Sequence, residues 1–173
     1  MNSLLLDADI TIELHVMGIW DKFVASNQVI LPSSVFQEAS FYKDRKGRRH
    51  PTNLNRDLKD GKIQRRQATA IEIGSIQGRF DQALGPSLGL GELEGLAILQ
   101  REKTPHMKFC TADAAAWWAT VLLDLGDRLI SCEEALKQSG LMRSVHNKLS
   151  EKRFREKLGV YQEYKVRGFG LRI

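Results

Sequence analysis

Leu4-Leu5-Leu6-Asp7-Ala8-Asp9 is the stretch from which the rest of the chain can be read. Three apolar residues without polar alternation fit a short strand buried on both faces, the kind found in parallel sheets covered by helices. The acid that follows marks where that strand ends. Working outward, Ile10, Leu14 and Met17, then Trp20, Phe23 and Val24, form a helical pattern broken by Gly18. Val29-Ile30-Leu31 is a second buried strand, stopped by Pro32. Ser34 with Gln37 has the spacing of a capping box that opens the next helix. Residues 43–60 are polar and basic and predict an exposed connection or irregular helix, and 62–68 a marginal strand. Helices are expected over 69–84, 91–102 and 114–125, and strands over 107–110 and 128–132. Short apolar strands alternating with helices predict an α/β fold with a central parallel sheet covered on both faces. With no internal repeat, the reading is one domain followed by a basic helical extension.

The 173 residues suffice for one domain with its own core, and 42% hydrophobic with 27% charged content is ordinary for a globular protein. No apolar run approaches the roughly 20 residues of a membrane-spanning helix. Met1-Asn2-Ser3 lacks a basic region and Asp7 interrupts the apolar run, so no secretory leader is expected and the cytoplasm is the default location. Cys110 and Cys132 show no metal or redox spacing and read as buried free thiols. No two of the four histidines stand at ligand spacing, which argues against zinc. The net charge of +5 is unevenly placed: residues 43–66 hold ten Lys or Arg against three Asp, and 143–172 hold nine against three acids. Basic segments flanking an acidic centre suit a polyanion held by its phosphates; the plainer reading is solvated surface.

The informative carboxylates are those that solubility does not explain. Asp7 follows a buried strand and Asp113 stands at a strand–helix junction, and ligands of open α/β sheets bind at the carboxyl ends of strands. At about 100° per residue, Glu92 falls between Leu96 and Leu99 and points with the apolar stripe, whereas Glu94 falls beside Arg101 and is expected to face solvent. Glu38 has Val35, Phe41 and Tyr42 as its near neighbours and is likewise expected to point inward. An unpaired inward carboxylate costs several kcal/mol. Ion pairs, protonation or a hard divalent cation such as Mg²⁺ or Mn²⁺ would offset that cost. Asp9 reads as a helix N-cap before it reads as a ligand, and Asp113 reads equally as either. Of the tandem Trp117-Trp118, one is expected in the core and the other at a partner contact.

Four stretches occur in order: Leu4-Leu-Leu-Asp7-Ala-Asp9, Val29-Ile-Leu-Pro-Ser-Ser-Val-Phe-Gln-Glu38, Leu90-Gly-Glu92-Leu-Glu94-Gly-Leu-Ala and Phe109-Cys-Thr111-Ala-Asp113. In these, over residues 3–138, the chain resembles the PIN-domain family, most of all VapC-type toxin ribonucleases and their uncharacterised relatives. The resemblance implies a three-layer α/β/α PIN-like domain over residues 1–140, with 141–173 as the basic extension. It places Asp7, Glu38, Glu92 and Asp113 on the four acidic positions, as catalytic residues and ligands of Mg²⁺ or Mn²⁺, with Thr111 supporting the last acid. It implies a metal-dependent endoribonuclease in which metal-activated water hydrolyses an RNA phosphodiester, leaving 5′-phosphate and 3′-hydroxyl ends. It also implies an antitoxin protein whose C-terminal segment covers the groove; a homodimer is the expected assembly. The sequence departs from the family at Asp9, where Ser, Thr or Asn is common and where a further ligand could arise. Glu94 is a fallback for Glu92, the segment 43–88 is long, and the tail after Gly140 has no counterpart.

Two other readings compete. Asp7-Ala-Asp9-Ile-Thr11 matches the first motif of haloacid dehalogenase-like phosphatases, with Asp7 as nucleophile and Asp9 as acid/base. That chemistry needs an acidic pair after a later strand, for which Gly126-Asp127 is the candidate, and it leaves Glu38 and Glu92 without a task. The third reading is a non-catalytic PIN scaffold that binds RNA or protein.

Overall fold

Burial on both faces is what the first strand receives. In a computed structural model, which describes residues 2–102 and 106–172, β1 (Asn2–Leu6) lies at the centre of a five-stranded parallel sheet. Leu5 packs into one hydrophobic cluster with Ile30 and Phe109, while Leu4 and Leu6 pack into another with Val29, Leu31 and Cys110. The other strands are β2 (Asn27–Pro32), β5 (Ile63–Arg66), β6 (Met107–Cys110) and β7 (Leu129–Ile130), in the order β5-β2-β1-β6-β7. A separate antiparallel pair, β3 (Phe41–Lys43) and β4 (Arg49–Pro51), stands outside the sheet. The architecture is the expected α/β/α sandwich.

On the Leu4/Leu6 face lie α1 (Ala8–Val16), α2 (Trp20–Ser26), the one-turn α3 (Val35–Glu38), α4 (Leu54–Lys59) and α8 (Cys132–Gln138). On the Leu5 face lie α5 (Ala70–Gln77), α6 (Leu90–Arg101), α7 (Ala114–Leu122) and α9 (Glu151–Val166). Gly18, at φ 67°, separates α1 from α2 as its sequence position suggested. The basic stretch over 43–60, expected to be irregular, instead forms the β3–β4 hairpin and α4. The marginal strand over 62–68 is β5, whose Ile63 alone is buried and whose Arg65 and Arg66 are exposed at the sheet edge. Such an edge strand carries little apolar signal.

Of the extension over 141–173, all but Ile173 is described. Its first part follows α1, where Arg143 Nη1 donates to the Met17 carbonyl at 2.8 Å and Leu149 is buried. α9 then covers α7: Phe154 meets Trp117 edge-on at 5.3 Å, and Tyr161 stacks on Trp118 at 6.0 Å. Trp117 is the core residue, and Trp118 is covered by this chain's own C-terminal helix. Gly170, at φ 92°, lets the backbone cross the Trp118 ring, since a Cβ there would stand 2.8 Å from it. Cys110 and Cys132 are buried and free, and their thiols are hydrogen-bonded to each other, which together with burial pushes the Cys110 thiol well up.

Candidate functional site

The chain lays β2 and β5 on one side of β1 and returns to lay β6 and β7 on the other, so its direction switches between β1 and β6. The carboxyl ends of those two strands form the crevice where open α/β sheets take ligands. Asp7 follows β1 there and caps α1, with Oδ1 accepting the Ile10 N–H at 2.8 Å. The Thr11 hydroxyl donates to the Asp7 carbonyl at 2.8 Å and fixes the backbone. Asp7 is buried, and desolvation raises its carboxyl from the ordinary 3.8 to about 7. Repulsion from Asp9 and Glu92 adds to the rise, against the hydrogen bonds from Thr111 and Ile10.

Asp113 caps α7 at the end of β6, with Oδ1 accepting the Ala116 N–H at 2.8 Å, and is half-buried. Thr111 joins the two acids: its hydroxyl accepts the Asp113 N–H at 3.0 Å and hydrogen-bonds the Asp7 carboxyl. The Trp117 indole donates to the Thr111 carbonyl at 2.9 Å and holds that corner. Asp9 is not the N-cap expected of it. It lies inside the first turn of α1 and is exposed, because Asp7 already occupies the cap.

The glutamates depart further from expectation. Glu94, expected to face solvent, is buried and accepts three hydrogen bonds: Ser34 N–H at 2.8 Å, Ser34 O–H at 2.7 Å and Ala68 N–H at 3.2 Å. α6 is buried on nearly every side, between the sheet and α5, so a single apolar stripe does not describe it. Ser34 correspondingly makes no capping box; its hydroxyl is spent on Glu94, and α3 is a single turn. Glu92 is half-buried at the start of α6 and folds back toward Gly89, whose Cβ position lies 2.5 Å from Glu92 Oε2.

Glu38, expected to point inward, is exposed at the mouth of the crevice. Its carboxyl end lies against Gly91, where a Cβ would stand 2.9 Å from Oε2. Local desolvation there raises its pKa, and the charges of Glu92, Glu94 and Asp9 raise it further. The repulsions felt by Asp7 and Glu38 thus link Asp7, Asp9, Glu38 and Glu92 electrostatically, with Glu94 also acting on Glu38 and Asp113 joined through Thr111.

None of Asp7, Asp9, Glu38, Glu92 and Asp113 has a salt-bridge partner among the described residues. Among those residues, no three His, Cys, Asp or Glu side chains already stand in a metal-holding arrangement. The donor set is nonetheless all hard oxygen, and a cation drawing these side chains inward would relieve their repulsion. Asp127, the acid that a phosphatase of the haloacid dehalogenase kind would need, precedes β7 and lies at the opposite end of the sheet from Asp7. Sequence reasoning did not single out Lys148, whose Nζ meets Glu13 Oε1 at 2.7 Å and whose charge is felt by Asp9 and Asp7. It lies 135 residues from Glu13, and no local pattern could have paired them.

No helix among the described residues is long and apolar enough to cross a membrane. No family model matches the chain, and neither a characterised protein nor a solved structure matches it significantly.

Proposed function

We propose that this chain is a metal-dependent endoribonuclease that holds Mg²⁺ or Mn²⁺ with Asp7, Glu38, Glu92 and Asp113, with Asp9 at the rim. The observation that carries the reading is the cluster itself: carboxylates without a salt bridge, at the β1/β6 switch, with the Asp7 carboxyl raised to about 7. Structural carboxylates are normally satisfied by cations or donors, as Glu94 is by Ser34 and Ala68. When bound, the divalent ion would supply an activated water and stabilise the leaving oxygen of a phosphodiester.

The chain's own groups do the positioning. The Ile10 N–H and the Thr111 hydroxyl fix the Asp7 carboxyl, and the Ala116 N–H leaves one Asp113 oxygen free. The carboxylates of Glu92 and Glu38, which accept no hydrogen bond among the described residues, are free to swing toward the ion. A shallow cavity of about 280 Å³ leads away past Glu38, Gln37, Ile73 and Leu90. Exposed Leu90 and Ile71 give that edge an apolar surface, the kind an antitoxin segment would cover. An antitoxin bound there would make the chain the toxin of a toxin–antitoxin pair.

The test is cleavage of single-stranded RNA with Mg²⁺, with Mn²⁺ and with chelator, alongside Mn²⁺ calorimetry. Metal-dependent products ending in 5′-phosphate, lost in Asp7→Asn and Glu92→Gln, are expected. Absence of Mn²⁺ binding, or equal binding after Glu38→Gln, would remove the metal site. Hydrolysis of p-nitrophenyl phosphate without RNA cleavage would favour the phosphatase.

A further inference from the structure

We propose that the C-terminal segment builds a two-cation phosphate clamp across the acid cluster, with Lys148 on the α1 rim and Arg153 on the α7 rim, for the backbone of single-stranded RNA. The identity of the polyanion rests on the nuclease reading above; the clamp itself rests on where the tail places its charges.

On α1, Asp9 and Glu13 are one turn apart and share a face. Lys148 sits on that face through its 2.7 Å contact with Glu13, and its side chain remains 40% exposed, within reach of a ligand. On the other rim, Arg153 lies over the Trp117 ring, 5.5 Å from its centroid. Trp117 is one turn beyond Asp113 and holds the Thr111 carbonyl through its indole. Lys148 thus stands beside the helix that Asp7 caps, and Arg153 beside the helix that Asp113 caps.

They are also tied together. Arg153 Nη1 donates to the Lys148 carbonyl at 3.2 Å, and Ser150 caps α9 by accepting the Arg153 N–H at 3.3 Å. Leu149, between them, is buried and anchors the turn. The segment thus presents a fixed pair rather than two independent surface charges.

A polyanion approaching a group of carboxylates meets repulsion, and cations at the rim offset it. The types suit the task. Lys148 is a compact charge on a flexible stem that can leave Glu13 for a phosphate, and Arg153 offers a planar fork matched to phosphate oxygens.

The experiment measures binding of a short fluorescent single-stranded oligoribonucleotide by anisotropy, in chelator so that no cleavage intervenes, across a range of salt. Lys148→Ala and Arg153→Ala are each expected to weaken binding about fivefold and to lower the slope of log affinity on log salt by about 0.7. Lys148→Arg restores the slope. Lys165→Ala, which removes the same charge from the far end of α9, leaves binding as it was. Under cleavage conditions, Lys148→Ala raises KM with kcat nearly kept. Wild-type affinity and slope in both alanine variants would overturn the clamp, as would an equal loss in Lys165→Ala or no RNA binding by the wild type. Because binding is read without metal, the clamp can stand if Asp7→Asn leaves cleavage intact and the nuclease reading falls, and it can fall while that reading stands.

Discussion

Two buried carboxylates lie near the same edge of the sheet and have opposite circumstances. Beyond the ends of β2 and β5, Glu94 accepts three hydrogen bonds from Ser34 and Ala68 and ties the two strand ends together. Beyond β1 and β6, Asp7 is equally buried, and desolvation, with a smaller repulsion from Asp9 and Glu92, raises its carboxyl to about 7. Burial alone therefore does not mark a functional acid. What separates the two is how far hydrogen bonds offset the burial. Glu94 accepts three and is spent on the fold, whereas the bonds from Ile10 and Thr111 leave the Asp7 carboxyl raised by desolvation, with a smaller push from Asp9 and Glu92.

The comparison breaks first at Asp7. Asp7→Asn is expected to lower RNA cleavage about a thousandfold, roughly 4 kcal/mol of transition-state stabilisation, without unfolding the chain. Steady-state rates with Mn²⁺ measure this, and a variant within tenfold of wild type would sink the role given to Asp7.

The second effect is on stability in the metal-free protein. Because the folded carboxyl at about 7 holds its proton more tightly than the unfolded one at 3.8, the contribution is complete below pH 3.8. It is lost as pH rises to about 7, some 4 kcal/mol in all. Asp7→Asn flattens this dependence, and urea titrations of both proteins in chelator across that window would show it. Parallel pH profiles would contradict the burial of the charge.

Next comes the contrast within α6. Glu94→Ala strands three donors and is expected to cost about 3 kcal/mol, whereas Glu92→Ala leaves stability unchanged or slightly raised while cleavage is lost. Chemical denaturation paired with activity separates them, and equal destabilisation would erase the distinction.

The smallest effect is at Gly91. Alanine there favours the helix by up to about 1 kcal/mol but displaces the Glu38 carboxyl, which lies 2.9 Å from the added Cβ. Stability held or raised with cleavage reduced severalfold is the expected pair of results. Unchanged cleavage would show that the position of Glu38 is immaterial.

Much of this was legible from residue order. Strands buried on both faces announced the parallel sheet, and Gly18 and Pro32 punctuated it at the expected places. The positions of Asp7 and Asp113 at strand ends followed from the same pattern. Glu94 was misread because the helical stripe assumes one solvent face, and α6 has almost none once α5 packs on it. Glu38 was misread because α3 ends at Glu38, so that Phe41 and Tyr42 stand in β3 and not on its helical face. Ser34 was misread because its Glu94 partner is 60 residues away, while the capping motif considers only the next turn.

By itself the sequence determined the layer architecture, the strand ends and Asp113 as a candidate cap, because period and capping are local properties of adjacent residues. Only the tertiary structure decided which acids are satisfied and which are left in repulsion, that Thr111 joins Asp7 to Asp113, and that the tail brings Lys148 to Glu13. Those depend on contacts between segments far apart in the chain, and burial, desolvation and charge coupling exist only once such segments are packed together.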